Sequence, residues 1–209
     1  MYALIMAGGS GSRIDLGEKP LVSVCGRPMI AYVIDAFFAA GLVPVVAASP
    51  KTPMTMNWCR AQGIDFIKAE GGDYISDMIE AVKTLDERDR LFVCVSDIPC
   101  ITAEIIIKIT NAYRFSGKDA CSSWVPAHVV HSSRCSMPYQ QQVQGIDACP
   151  AGVNILRGDL IAHVQDELQV LLNEPGLALN VNTREDLARA EDFLKGNSDN
   201  LRSILSRRV

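Results

Sequence analysis

The chain opens with a short apolar run, Tyr2 to Met6, that stops abruptly in the loop Ala7-Gly8-Gly9-Ser10-Gly11-Ser12-Arg13. This junction limits the available folds more than any other stretch. A strand apolar on both faces must be covered on both, which is the arrangement of a parallel sheet between layers of helices. Gly8, Gly9 and Gly11 let the backbone turn through positive φ and approach a ligand closely, so that successive amide N–H groups converge on one anion. Arg13 and Lys19 add two cations to that loop. A triphosphate needs both kinds of partner, because amides alone leave its formal charge uncompensated.

Strand-like and helix-like segments alternate along the rest of the chain, which predicts an α/β, Rossmann-like fold with a mainly parallel sheet flanked by helices. Pro28 to Ala40 reads as a helix, with Ile30, Val33, Ile34, Phe37 and Phe38 at helical spacing. Strands are expected at Val43 to Ala48 and Asp65 to Ala69, and helices at Met54 to Gln62 and Tyr74 to Leu85. Leu91 to Val95 is the clearest inner strand, and Thr102 is placed to cap the helix after it. Ala120 to Val130 and Pro150 to Leu156 read as strands, Asp159 to Leu172 as a helix and Leu177 to Val181 as a short strand. Thr183 and Asp186 open a final helix through about Leu194. Residues 1–195 are read as one domain, and 196–209 as a tail that is either loosely helical or disordered.

Composition excludes several function classes. At 209 residues and 48% hydrophobic content the chain can bury a substantial core, and its net charge of −4 has the signs interspersed. Without a diffuse basic face, nucleic acid is not an expected partner. No run of apolar residues reaches the length of a membrane span, and the amino terminus begins a strand directly, so a cytoplasmic protein is expected. Seven cysteines are scattered with no Cys-x-x-Cys pair, and His128, His131 and His163 form no cluster. That pattern suits neither a disulfide framework nor a histidine or cysteine metal site.

The glycine loop differs from two better-known motifs. A P-loop places Lys-Ser or Lys-Thr after its last glycine, where Ser12-Arg13 stands here, and the dinucleotide fingerprint lacks its third glycine, because Ile14 follows Gly11 at that spacing. The strand Leu91 to Val95 runs straight into Ser96-Asp97, so Asp97 stands at the carboxyl end of the sheet, where open α/β folds bind ligands. A carboxylate there can hold Mg²⁺ against phosphate oxygens; the alternative is an Asp that caps the Ile98-Pro99 turn.

The motif Leu-x-x-Ala-Gly-Gly-x-Gly-x-Arg followed by Lys19-Pro20-Leu21 resembles the nucleotidyltransferase superfamily, whose fold is that of the nucleotide-diphospho-sugar transferases. Its members join a nucleoside triphosphate to a phosphorylated acceptor and release pyrophosphate. The resemblance implies that Arg13 serves the β and γ phosphates, that Lys19 lies near the α phosphate under attack, and that Asp97, in a strand-Asp-x-Pro element, holds the metal. Asn180 to Leu187 resembles a further element of the superfamily. Its Asn182 would orient a metal or bond the acceptor, an amide where many relatives carry a second carboxylate. Thr183 and Asp186 read as an ordinary helix start. Base choice is expected in Ala47 to Pro50 and Gly71 to Asp77. There Asp77 is either an acceptor for guanine N–H groups or a solvated first-turn acid.

Over most of its length the chain resembles the archaeal-type adenosylcobinamide-phosphate guanylyltransferases of cobalamin synthesis. The likeness rests on the glycine loop, on Glu18 to Leu21 with Cys25-Gly26-Arg27, on Ser49-Pro50-x-Thr52-Pro53, on Gly72-x-Tyr74-Ile75-x-Asp77 and on Pro150-Ala151-Gly152-Val153-Asn154. It implies that GTP and a phosphorylated corrinoid are the substrates. Ala7 to Gly11, Ser49, Gly72 and Asp77 would belong to the nucleotide side, and Gly152 and Asn154 to the acceptor side. A homodimer is compatible with this reading. His131 to Ala148 departs from the resemblance and reads as a corrinoid surface or a plain variable loop. Guanylyl or cytidylyl transfer to molybdopterin is the alternative among enzymes, and a non-catalytic nucleotide-binding regulator the alternative outside them.

Overall fold

A computed structural model describes residues 1–9, 16–133 and 139–206, with side chains as far as Asn197, and its central strand β1 (Tyr2–Met6) is the opening apolar run. A hairpin, β2 (Ser23–Val24) and β3 (Arg27–Pro28), leads into α1 (Met29–Ala39), followed by β4 (Val43–Ala48), α2 (Pro53–Gln62), β5 (Phe66–Lys68) and α3 (Tyr74–Leu85). The second half runs β6 (Arg90–Val95), α4 (Ala103–Arg114), β7 (Ala120–Pro126), α5 (Ala127–Ser132), β8 (Gln141–Val143), β9 (Ile146–Arg157), β10 (Glu167–Leu171) and α6 (Arg184–Ser206). The main sheet has the order β10-β7-β9-β6-β1-β4-β5, with β8 paired to β9. β5, β4, β1 and β6 are parallel to one another, and β9 enters antiparallel between β6 and β7.

Alternation along β1 explains why both faces are covered. Ala3 and Ile5 point into a core shared with α1, α2, α4, α5 and α6, whereas Leu4 and Met6 point into a second core under α3. Phe37 of α1 meets Phe92 of β6 edge to face at 5.5 Å in the larger core. No helix among the described residues is long and apolar enough to cross a membrane.

Four expected elements differ from those observed. The strand from Ala120 ends at Pro126, and the following residues turn into α5, whose Val129 and Val130 are buried on the larger core. Asp159 to Leu172 is not a helix: a 3-10 turn at Gly158–Leu160 leads to β10, which pairs parallel to β7 at the sheet edge. Leu177 to Val181 is not a strand; a 3-10 turn covers Pro175–Ala178, and the chain then runs irregularly to α6. The last helix continues to Ser206, well past Leu194.

Candidate active site

The carboxyl ends of β1, β4, β5 and β6 open into one cleft of about 380 Å³, lined by Met6, Gly8, Gly9, Lys19, Pro20, Lys51, Gly72, Tyr74, Asp77, Val95, Ser96, Asp97 and Asn182. Its position follows from the parallel half of the sheet, in which every strand delivers its following loop to the same edge.

Two acidic side chains organise the two ends. At the β6 end, Asp97 takes an ion pair from Lys19, and the same ammonium donates to Asn182 Oδ1 at 2.9 Å. Both members of the pair are largely buried, with 16% of each side chain exposed. Asn182 reaches this point because the Val181 N–H donates to the Asp97 carbonyl at 2.8 Å. The helix start beyond it is a capping box: Asp186 N–H donates to Thr183 Oγ1, and Asp186 Oδ2 accepts from the Asn182 and Thr183 N–H groups. Asp97 Oδ1 is buried and has no hydrogen-bond partner among the described residues. A buried carboxylate oxygen left bare is costly, and it marks where a ligand fits.

At the β5 end, Asp77 is buried rather than solvated, and its Oδ1 accepts from the Gly71 and Gly72 N–H groups at 3.1 and 2.9 Å. Ser49 is wholly buried; its hydroxyl donates to the Gly8 carbonyl at 2.7 Å and so ties the loop after β4 to the loop after β1. A Cβ on Gly8 would lie 3.1 Å from Ser49 Cβ, so the contact itself calls for glycine.

Lys19, Gly8, Gly9, Gly72, Asp77, Asp97 and Asn182 thus share the cleft, as the sequence reading expects of a single site. Ala7 and Ser49 are buried just behind it. Gly152 and Asn154 lie on β9 and are not among its lining residues; Gly152 has φ +73, and a Cβ there would meet Val95 Cγ2 at 2.6 Å, so this glycine serves close strand packing. Asn154 is half-buried, opposite Val93 and Ser122. Ser10, Gly11 and Arg13 lie outside the described residues, as do 134–138 in the segment of unassigned role.

Sequence reasoning gives three residues of the site no individual role, although Glu18 and Tyr74 stand within the motifs quoted above. Tyr74 lines the cleft with 44% of the residue exposed, and desolvation of its phenol, with the Asp97 carboxylate nearby, holds it above the usual range, so it stays a neutral donor. Lys51 reaches across to the Gly71 carbonyl at 2.9 Å. Glu18 accepts from the Met54 and Thr55 N–H groups and the Thr55 hydroxyl, each at 2.7 Å, and caps α2 in place of Thr52, whose side chain does not. That cap fixes the residue before Lys19. No local pattern announces it, because the partners lie far apart in sequence.

Among the described residues no three His, Cys, Asp or Glu side chains gather to hold a metal. Asp97 Oδ1 nevertheless suits an ion that takes one protein carboxylate and completes its shell with phosphate oxygens and water, as Mg²⁺ does.

The cleft, the glycine loop and the paired Lys19 and Asp97 define a nucleotidyltransferase-type site, and the chain belongs to the MobA-like NTP transferase domain family, whose model matches residues 3–205. It is 31% identical over 201 residues to the adenosylcobinamide-phosphate guanylyltransferase of Methanocaldococcus jannaschii, covering 93% of this chain and 98% of that protein. Among solved structures, a CTP complex of CMP:2-keto-3-deoxy-manno-octonic acid synthetase aligns with TM-score 0.72 at 16% identity, over 94% of this chain and 98% of the other. HddC from Yersinia pseudotuberculosis, complexed with GMP-PN, aligns with TM-score 0.66 at 16% identity, over 93% and 100%.

Gly9 offers a test of the loop's role. A methyl added there meets no atom within 4 Å, and its φ is not positive. Gly9→Ala is therefore expected to leave thermal stability within about 2 °C of the parent. By filling the space beside the loop amides it should weaken nucleoside triphosphate binding by about tenfold, as read by titration calorimetry. Unchanged affinity would remove the phosphates from this loop.

Proposed function

We propose that the chain transfers GMP from GTP to adenosylcobinamide phosphate, giving adenosylcobinamide-GDP and pyrophosphate. The observation that carries this reading is the convergence of Gly8, Gly9, Lys19, Asp97 and Asn182 on one cleft, in a chain that aligns end to end with a relative named for that activity. An acceptor phosphate oxygen forms a bond to the α phosphorus of GTP, and the bond from that phosphorus to the bridging oxygen breaks, pyrophosphate leaving with the electron pair. A phosphate monoester is mostly dianionic near neutral pH, its second pKa being about 6, so the attack needs no general base.

The barrier is electrostatic: two polyanions must meet, and charge builds on the departing group. Lys19 answers the first demand by holding the α phosphate, in an exchange of partners with Asp97. Arg13 takes the β and γ phosphates, and Tyr74, which lines the cleft, offers a hydroxyl donor to the bound substrates. Mg²⁺ held by Asp97 would supply positive charge to the leaving pyrophosphate. The acceptor side is assigned to Gly152, which packs against Val95, and to Asn154, two residues further along β9. Incubating the purified protein with labelled GTP and either adenosylcobinamide phosphate or molybdopterin tests the assignment. Label is expected in the corrinoid product; product with molybdopterin alone overturns it.

A further inference from the structure

We infer that Lys51 reads the O6 edge of the guanine base and, with Asp77, sets the preference for GTP; this rests on the guanylyl transfer proposed above. The sheet itself supplies the ruler. Lys19 and Asp97 mark the phosphate end beside β6, and the loops after β4 and β5 lie two and three strands away in the order β6-β1-β4-β5. Three strand spacings are about 14 Å, the reach of a nucleotide from its α phosphate to the far edge of its base. A nucleotide with its phosphates at Lys19 therefore presents its base to Lys51, Gly71, Gly72 and Asp77.

Those residues form a donor and an acceptor held on one backbone segment. Lys51 Nζ donates to the Gly71 carbonyl, which uses one of its three N–H groups and aims the ammonium at the cleft it lines. Asp77 Oδ1 is occupied by the Gly71 and Gly72 amides, whereas Oδ2 takes no hydrogen bond from any described residue and lies 3.4 Å from where a Gly8 side chain would begin. Guanine carries the complementary pattern, with O6 as acceptor beside the N1–H and N2 amino donors. Adenine turns an amino donor toward the ammonium, which repels it. Uracil matches only the first acceptor and donor, turns its O2 acceptor toward the Asp77 carboxylate where guanine has an amino group, and is one ring shorter.

Binding of GTP, 6-thio-GTP, ITP and ATP to the full chain separates the contacts. 6-Thio-GTP keeps both donors but replaces O6 by a weak sulfur acceptor, and ITP lacks only the N2 amino group. The parent protein is expected to prefer GTP over 6-thio-GTP by about tenfold, the scale of one charge-assisted contact to a base edge. In Lys51→Met that ratio should fall to within about threefold of unity, with the preference of GTP over ITP retained, and Lys51→Arg should restore the ratio. If Lys51→Met weakens all four nucleotides equally, the lysine acts only by holding the Gly71 loop and the inference fails. It fails likewise if the 6-thio-GTP ratio is unmoved. A parent protein that binds ATP as well as GTP overturns the guanine assignment itself, a result distinguishable from failure of the Lys51 contact alone.

Discussion

Asp97→Asn is expected to lower kcat by about a thousandfold while leaving nucleotide affinity, measured without added metal, equal to or tighter than that of the parent protein. The two halves of this result have opposite signs for one reason. The carboxylate stands at the carboxyl end of β6 with one oxygen on Lys19 and the other bare. In the resting site its negative charge neutralises the lysine and repels a triphosphate. Substituting the isosteric amide removes that charge, frees the Lys19 ammonium for phosphate, and makes the cleft more positive by one unit. During reaction the same substitution removes the oxygen suited to a metal and with it the charge that offsets pyrophosphate departure. The substitution also leaves the largely buried Lys19 ammonium without its counter-charge, so some loss of stability is expected and kcat is compared at a temperature where the variant is folded. Lys19→Met serves as the opposing control: it weakens metal-free nucleotide binding and leaves Asp97 buried without its partner. Retention of kcat within tenfold in Asp97→Asn would sink the assignment of Asp97 to the reaction.

Most of the parallel half of the fold is written in local sequence, and most of the antiparallel half is not. Strands β1 and β4 and helix α3 carry signals that stand alone: unbroken apolar runs bounded by glycine or proline, and an N-cap, Asp73, that accepts from the Ile75 and Ser76 N–H groups. Their boundaries therefore agree with expectation. The region after β9 misleads for a definite reason. Leu160, Ile161, Val164, Leu168, Leu171 and Leu172 recur at helical spacing, whereas the alternation Glu167-Leu168-Gln169-Val170 that fits a strand is only a few residues long. Pairing with β7 along Ala120 to Trp124 decides between them, and that contact is remote in sequence. The site divides similarly. Gly8, Lys19 and Asp97 belong to motifs with a chemical reason for their spacing, but Lys51 and Glu18 act through carbonyls and amides of distant segments. Nothing in the immediate neighbours of Lys51 distinguishes it from a solvated surface charge, and the motif that contains Glu18 does not reveal the helix it caps.

Gly158→Ala is expected to be the most destabilising single methyl that the chain can receive among its described glycines. A Cβ built on Gly158 would lie 1.8 Å from the Glu87 carbonyl oxygen and 2.7 Å from its carbon, both backbone atoms that no rotamer change can move. The closeness has a cause in topology. β9 returns antiparallel beside β6 and must leave the sheet where β6 enters it, and the Gly158 and Asp159 N–H groups donate to the Asp89 and Arg88 carbonyls at 2.9 Å to close that crossing. A side chain forces these two segments apart and strips the bonds from groups at the sheet end. Overpacking of this kind costs about 3 kcal/mol. At about 2–4 °C per kcal/mol for a chain of this length, Tm should fall by about 6–12 °C. The crossing sits at the amino end of β6, and Asp97 follows its carboxyl end, so the two effects separate cleanly. At a temperature where the variant remains folded, kcat should stay within about twofold of the parent value, because the strain is confined to the opposite edge of the sheet. A Tm within 2 °C of the parent would mean that β6 and β9 do not cross as closely as these distances require.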